Sequence, residues 1–521
     1  MNWFDDWALP LGVFLPAVGM VLLFFIPKKN ETAIKATALL TTVVTFAVGV
    51  VILFRFNYHS GTLQFTVNEQ WIPVIHSRFH VGIDGISLPL LVLSMFICIL
   101  AVIYSWDHFP EPRNPRAFLA LILLLEVGMN GTFAAQDLIL FFVFFEFVLL
   151  PMFFMIGVWG GPNRQYAAIK FFLFTLFGSA LMLVAFLALY FLSKHPTFDM
   201  VQLAKMHGEG IAYGTQLLVF GGLFLGFAIK VPIFPFHTWL PDAHTEAPTV
   251  GSVLLAAIML KLGTYGFVRI AIPFLPRAAQ AWAPWIGLLA VIGIIYGSLC
   301  CLAQRDMKRL IAFSSVAHMG FVMLGIATLT NFGINAAIFG MVAHGLITGM
   351  LFFVAGSIQE RFNTREMSRL GGLLTQAPKL GWILGFCAMA SLGLPGLAGF
   401  WGEFPAILSA YQPAGNISDI TFRVYMVVAA VGTVLAAGYL LWMFQKVAFG
   451  TPKDEFKDAH IHDVHGPEWI AWTPLLVLIV VLGIYPNFLF KVTDPAVTRE
   501  TKQVAAVLQQ ANRPKTEAAN R

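Results

Sequence analysis

Charge is what this sequence has least of. Of 521 residues, 11% are Asp, Glu, Lys or Arg, while 58% are hydrophobic. A soluble domain carries about 25% charged residues. No water-facing fold hides this much apolar side chain, which excludes a soluble protein. Cysteine is also scarce. Cys98, Cys300, Cys301 and Cys387 all lie in apolar runs, and none forms a C-x-x-C pair. They read as small buried residues and leave no iron–sulfur site in this chain. There is no G-x-G-x-x-G dinucleotide fingerprint. The net charge of +5 is spread over loops, so no nucleic-acid surface is expected.

What the sequence has is apolar runs, far more than a signal peptide would need. Fourteen are long enough to cross a bilayer. They start near Leu9, Ala33, Ile86, Ala117, Asp137, Ala167, Gln216, Val250, Ala281, Leu310, Ile334, Leu380, Val424 and Ala471. The pattern predicts an all-α polytopic membrane protein of about 14 transmembrane helices, with no separate soluble domain. The longest loops run from Arg55 to Asp84 and from Gln445 to Trp469. The tail after Val492 is polar and is expected to order against a neighbour. Placing the loop with Lys28, Lys29 and Lys35 inside puts 16 basic residues on that side and seven on the other. Both termini then face outside, although the basic tail pulls mildly the other way.

An ionisable group at mid-bilayer costs at least about 2.5–3.5 kcal/mol on insertion scales, so each needs a reason. The candidates are Glu126, Glu146, Lys230, Lys261, His318, His344 and Glu403. Snorkelling is the plain alternative for the two lysines, but both sit deep in their runs. Neutral packing is the alternative for the histidines. Glu126 could pair with a neighbouring helix, and Glu403 lies close enough to a helix end to be partly solvated. His460, His462 and His465 with Asp458 and Asp463 have metal-ligand chemistry, but read as a solvated loop rather than a metal site.

The spacings suggest a repeat. Glu146 to His318 is 172 residues, Lys230 to Glu403 is 173, and Lys170 to His344 is 174. An offset near 173 spans five helices. Because five is odd, the second copy crosses the membrane with opposite polarity, as in many transporters. Breaks accompany it: Pro232 and Pro235 interrupt the seventh run, and Gly393-Leu394-Pro395-Gly396 the twelfth. Proline removes a backbone donor and clashes with the carbonyl four residues back, so the carbonyls of Ala228 and Val231 are expected to be freed. Such groups persist at membrane depth only against protein or a wet cavity, where a lysine can donate to them. The expected divisions are helices 1–3 in 1–116, two inverted five-helix repeats in 117–275 and 276–450, and an inside loop, helix 14 and tail in 451–521.

Four stretches carry a family resemblance: FFEFVLLPMFFMIGVWGG, AIKVPIFPFHTWLPDAHTEAPT, LLAAIMLKLGTYGFVRI and KRLIAFSSVAHMGFVMLG. With them the chain resembles, over nearly all 14 runs, the antiporter-like subunits of respiratory complex I and of multi-subunit cation/proton antiporters. In the family the twelfth-helix ionisable residue is a lysine in complex I subunits L and N and a glutamate in the third such subunit. Here it is Glu403, and the chain stops too soon for the long lateral helix typical of L. The resemblance implies a proton-translocating subunit of NADH-quinone oxidoreductase in a bacterial plasma membrane, rather than the mitochondrial inner membrane. It implies Glu146 and Lys230 as an inside gate and ion pair. Lys261 would be the central relay, His318 and His344 lateral carriers, and Glu403 the site of release to the outside. It implies no cofactor in this chain, with NADH, FMN, iron–sulfur clusters and quinone in partner subunits. Partners would be the other membrane subunits, L and N especially, and lipid. Two other readings are a sodium/proton antiporter subunit without a redox partner and a purely structural membrane subunit. Glu403 counts against the first and the buried charges against the second.

Overall fold

The computed structural model describes residues 3–511. Thirteen of its helices are long and apolar enough to span a membrane. They are α1 (Trp3–Phe25), α2 (Glu31–Arg55), α3 (Ser87–Tyr104), α4 (Pro115–Ala134), α5 (Leu138–Trp159), α6 (Arg164–Leu192) and α7a (Tyr213–Lys230). There follow α8 (Thr249–Phe274), α9 (Pro276–Leu302), α10 (Met307–Ala327), α11 (Asn331–Phe362), α13 (Asp419–Ala448) and α14 (Gly466–Ile484). The twelfth run is split into α12a (Pro378–Ser391) and α12b (Ala398–Ser409), each too short to cross alone. The seventh continues past its break as α7b (Trp239–Glu246).

Helices form because a backbone in lipid must satisfy its own polar groups. Their starts are set by local chemistry. Asp137 caps α5 by accepting from the amides of Ile139 and Leu140, at 3.0 and 3.1 Å. It also accepts from Ser77 Oγ and the Arg78 amide, both at 3.0 Å, which ties the start of α5 to a hairpin. The glycine-rich break between α12a and α12b turns through Gly393 (φ 79°) and Gly396 (φ 95°), where a side chain would be strained.

The bundle has a buried centre and an apolar rim. α8, α10 and α11 are buried along their whole apolar windows, whereas α2 and α13 are mostly turned outward. The outward residues are large and apolar, for example Leu40, Phe54, Phe177, Ile420 and Val434. α11 and α12b approach so closely that a Cβ on Gly402 would stand 2.5 Å from the Gly340 Cα. That approach sets His344 and Glu403 around one cavity.

Two expectations are corrected. The Arg55–Asp84 loop is a β-hairpin, β1 (Gln64–Ile72) paired antiparallel with β2 (Ser77–Ile83). The alternation over QFTVNEQWI was hidden by its short length and polar flanks. The tail after Val492, read as a polar segment beyond the last span, is helical. It belongs to an amphipathic helix, α15 (Asn487–Ala511), which buries Leu489, Val497, Val504 and Leu508 against this same chain. The last ten residues lie outside the described range.

α15 runs across the ends of the bundle at which α8 ends and α11 begins. Thr493 Oγ1 donates to Asn335 Oδ1 on α11 at 2.6 Å, and Arg499 donates to the Gly61 carbonyl at 3.2 Å. Glu500 meets Arg269 of α8 at 2.8 Å, and Arg269 also meets Asp84 at 2.5 Å. Burial pushes the Glu500 carboxyl up to about 7, against the opposing pull of Arg269, with Asp84 adding to the rise and Arg499 to the fall. The docked state therefore holds this proton more tightly than the undocked one. Docking is strongest below the ordinary carboxyl range and weakens as pH rises through about 7. Hydrogen exchange in α15, corrected for its intrinsic rate, should accelerate over that rise, and Glu500→Gln should flatten the dependence.

Candidate functional site

Six sequence-predicted residues fall into three groups strung through the interior. The first is Glu146 on α5 with Lys230 at the end of α7a. Lys230 is 2% exposed, and its Nζ has no hydrogen-bond partner among the described residues. It stands 4.9 Å from the centre of the Phe145 ring, a cation–π contact. Glu146 Oε1 is likewise buried without a partner. No nitrogen–oxygen contact within 4.0 Å joins them among the described residues, so the expected ion pair is not closed in this structure. The freed carbonyls also behave differently from expectation. Ala228 O accepts from the Ile233 amide at 2.9 Å, because the chain turns back over the break. Lys230 is therefore not needed there and points at Phe145 instead.

The second group is central. Lys261 is fully buried on α8 between two π-helical segments, Leu255–Met259 and Phe267–Ala271. A π turn widens the helix and misaligns its carbonyls, and such turns are frequent at functional sites. Lys261 Nζ donates to the Ala256 carbonyl of that turn, and it lies 2.7 Å from His344 Nδ1 on α11. At that separation one nitrogen donates and the other accepts. Gly263 lets α7a approach: a Cβ there would stand 3.1 Å from Lys230 Cβ, which brings the first group alongside the second.

The third group is His318 on α10 with Glu403 on α12b. His318 Nδ1 meets Glu403 Oε1 at 2.6 Å, while Nε2 faces Ser391 Oγ at 3.1 Å and Tyr439 OH at 3.2 Å. The His318 and His344 rings are 6.0 Å apart. Between them lies a cavity of about 20 Å³ lined by His318, His344, Thr348, Ser391 and Glu403. That is room for a water with several polar partners. Lys261, His344, His318 and Glu403 thus form a nearly continuous line of proton-exchanging groups.

Other sequence readings fare differently. Lys170 forms an interfacial ion pair with Asp242 of α7b at 2.7 Å, near the start of α6, whereas His344 is mid-helix and buried. The two do not correspond in depth. Glu126 is fully buried with neither oxygen bonded among the described residues, so the helix partner envisaged for it is absent there. Asp463 accepts from the amides of Lys379 and Leu380, both at 3.0 Å, and serves as a loop anchor. The four cysteines are free and mostly buried.

Three polar residues of the interior escaped sequence reading. His244 is fully buried on α7b, stacked on Phe352 with ring centres 4.4 Å apart. Lys308, counted above as a loop charge, is 3% exposed and donates to the Ala247 carbonyl. Tyr439 reaches His318 from α13. The signal for Lys308 was its place ten residues before His318, in the first turn of the same helix. Nothing in one sequence marks Tyr439.

A family described as "NADH:quinone oxidoreductase/Mrp antiporter, TM" matches residues 135–433, and "NADH-ubiquinone oxidoreductase chain 4, amino terminus" matches residues 11–130. NADH-quinone oxidoreductase subunit M of Rickettsia prowazekii (strain Madrid E) is 40% identical, over 93% of this chain and 96% of its own. Subunit M of Rhodobacter capsulatus is also 40% identical, over 94% and 95%. A chain of respiratory complex I from Thermus thermophilus with bound NADH superposes with a TM-score of 0.85 at 30% identity, covering 95% of this chain and 99% of that one. A chain of the Mrp complex from Dietzia sp. DQ12-45-1b shares the fold, with a TM-score of 0.82 at 19% identity. The chain belongs to the subunit M (chain 4) family of NADH-quinone oxidoreductase.

Proposed function

We propose that this chain carries protons across the bacterial inner membrane along the line Glu146, Lys230, Lys261, His344, His318 and Glu403. It works as a multi-pass, proton-translocating subunit of NADH-quinone oxidoreductase. The observation that carries the route is the run from Lys261 Nζ to His344 and from His318 to Glu403, with the two imidazole rings 6.0 Å apart across a water-sized cavity. Each member alternates between donor and acceptor on gaining or losing one proton.

The division of labour follows from the contacts. Lys230 is buried with its Nζ unbonded among the described residues, Glu146 is half-buried with Oε1 unbonded there, and Lys230 packs alongside the helix of the central lysine, so closing their pair is the variable step. A carboxylate brought near Lys230 raises its proton affinity, and withdrawing it lowers that affinity. Lys261 responds because a second cation beside it disfavours its charge. The tight contacts make the titrations collective, belonging to the line rather than to single residues. Glu403, nearest the α12 break, hands the proton to the outside. The two five-helix units, 117–275 and 276–450, each supply one broken helix to this line. Proton movement is driven from other subunits of the complex. NADH, FMN, the iron–sulfur clusters and quinone sit there, and the antiporter-like subunits L and N are the neighbours.

The test uses the assembled complex in proteoliposomes. Glu146→Ala and Lys230→Ala should each depress proton pumping and quinone reductase activity together by about 10²-fold, the lower end of what a positioned proton-transfer group contributes. Near-normal rates of both would remove the gate from this reading. A sodium/proton antiporter subunit without a redox partner would instead fail to co-purify with quinone reductase activity.

A further inference from the structure

The part of α8 beyond Lys261 carries polar groups that the proton line does not use. Thr264, Tyr265 and Arg269 follow Lys261 toward the C-terminal end of the helix, and all three are buried. Arg269 borders a cavity of about 260 Å³, together with Asp84, Lys205, Arg499 and Glu500. That is room for several waters. Lys261 and Tyr265 lie in one α-helical segment, Leu260–Gly266, so one turn, roughly 6 Å of rise, separates them. The column from the cavity to the central lysine is therefore Arg269 and then Tyr265.

Hydrogen-bond direction along this column is fixed. Arg269 donates from its two terminal nitrogens to Asp84 Oδ1 and to Glu500 Oε1, the latter at 2.8 Å, and from Nε to Tyr265 OH at 3.3 Å. Tyr265 OH donates to the Phe133 carbonyl at 3.1 Å, and Thr264 Oγ1 donates to the Lys261 carbonyl, also at 3.1 Å. A guanidinium has five donors and no acceptor, and it keeps its protons in proteins. A hydroxyl has one proton, and both hydroxyls here spend it on backbone carbonyls, which accept and pass nothing on. A proton that reaches Asp84 or Glu500 from the cavity thus meets a group that cannot take it.

We propose that Arg269 and Tyr265 form a proton seal, which stops water at this end of the bundle from exchanging protons with Lys261. The inference rests on Lys261 as the centre of the proton line. A relay loaded through Glu146 and Lys230 must not also open directly to this cavity, or translocated protons run back. An apolar plug would block protons too, but it would leave the carboxylates of Asp84 and Glu500 uncompensated. A donor-only cation answers both demands with one side chain.

The test uses the purified, assembled complex in proteoliposomes with no substrate turning over. A potassium gradient with valinomycin imposes a membrane potential, and an enclosed pH dye reports passive proton entry. Arg269→His gives the column a ring that accepts as well as donates. It should raise passive proton conductance by about 10²-fold, the scale of one positioned proton-transfer group. Arg269→Gln combined with Asp84→Asn removes both charges together and puts an accepting amide oxygen in the column, and it should leak likewise. Arg269→Lys keeps a donor-only cation between the carboxylates, and Tyr265→Phe keeps the ring without its hydroxyl. Both should stay as tight as the parent. Tightness in whichever of the two leak variants assembles would overturn the seal. So would an equal leak in Arg269→Lys, which would mark Arg269 as a structural staple only. Adding Lys261→Met to a leaking variant should close it, and a leak that persists would break the link to Lys261. Because the gradient is imposed, these outcomes are separate from the pumping assays that test the proton line.

Discussion

Lys261→Ala is expected to lower proton translocation by the assembled complex by at least about 10²-fold, the scale of a positioned proton-transfer group. Lys261 is fully buried. Its amine bonds the Ala256 carbonyl of the π turn and His344. Alanine leaves the 2.7 Å link to His344 without its donor and breaks the line at its middle. Lys261→Met keeps the volume and most of the packing, so it separates loss of the charge from loss of shape. Both variants should collapse the fluorescent-probe signal of lumen acidification in proteoliposomes. If Lys261→Met pumped normally, Lys261 would be a packing residue and the route would lie elsewhere.

The largest effect on stability is expected near the C-terminal end of the same helix. Arg269→Leu should destabilise the membrane subunit by roughly 3–5 kcal/mol, because removing one partner of a buried ionic network leaves its countercharges uncompensated. Arg269 is 7% exposed and holds both Asp84 and Glu500. Without it, two carboxylates face each other where the hairpin, α8 and α15 meet. The measurement is thermal inactivation and the yield of assembled complex. Adding Asp84→Asn to Arg269→Leu should recover part of the loss, since the second change removes one uncompensated charge. Simple additivity of the two would show that the triad is not a coupled unit.

Much of the site was legible because lipid makes charge conspicuous. Glu146, Lys230, Lys261, His318, His344 and Glu403 each stand alone in an apolar run; the last five are buried and Glu146 is half-buried. The helix starts near Leu9 through Ala471 correspond to the observed helices for the same reason: one solvent, one allowed secondary structure. The two breaks were visible in Pro232, Pro235 and Gly393–Gly396. The partner of each charge was not visible. Lys230 faces Phe145 rather than a freed carbonyl, and the structure pairs His318 with Glu403 although 85 residues separate them.

The sequence by itself determined the medium, the helix positions and the residues whose burial demands a purpose. These follow from composition and local chemistry, since a hydrocarbon solvent penalises every unpaired polar group wherever the chain places it. Only the tertiary structure decided which of those groups touch. It put Lys261 on His344, His318 on Glu403, Lys308 on the Ala247 carbonyl, and Arg269 between Asp84 and a C-terminal helix. Contacts of this kind depend on where helix faces meet, and no spacing along the chain encodes that meeting.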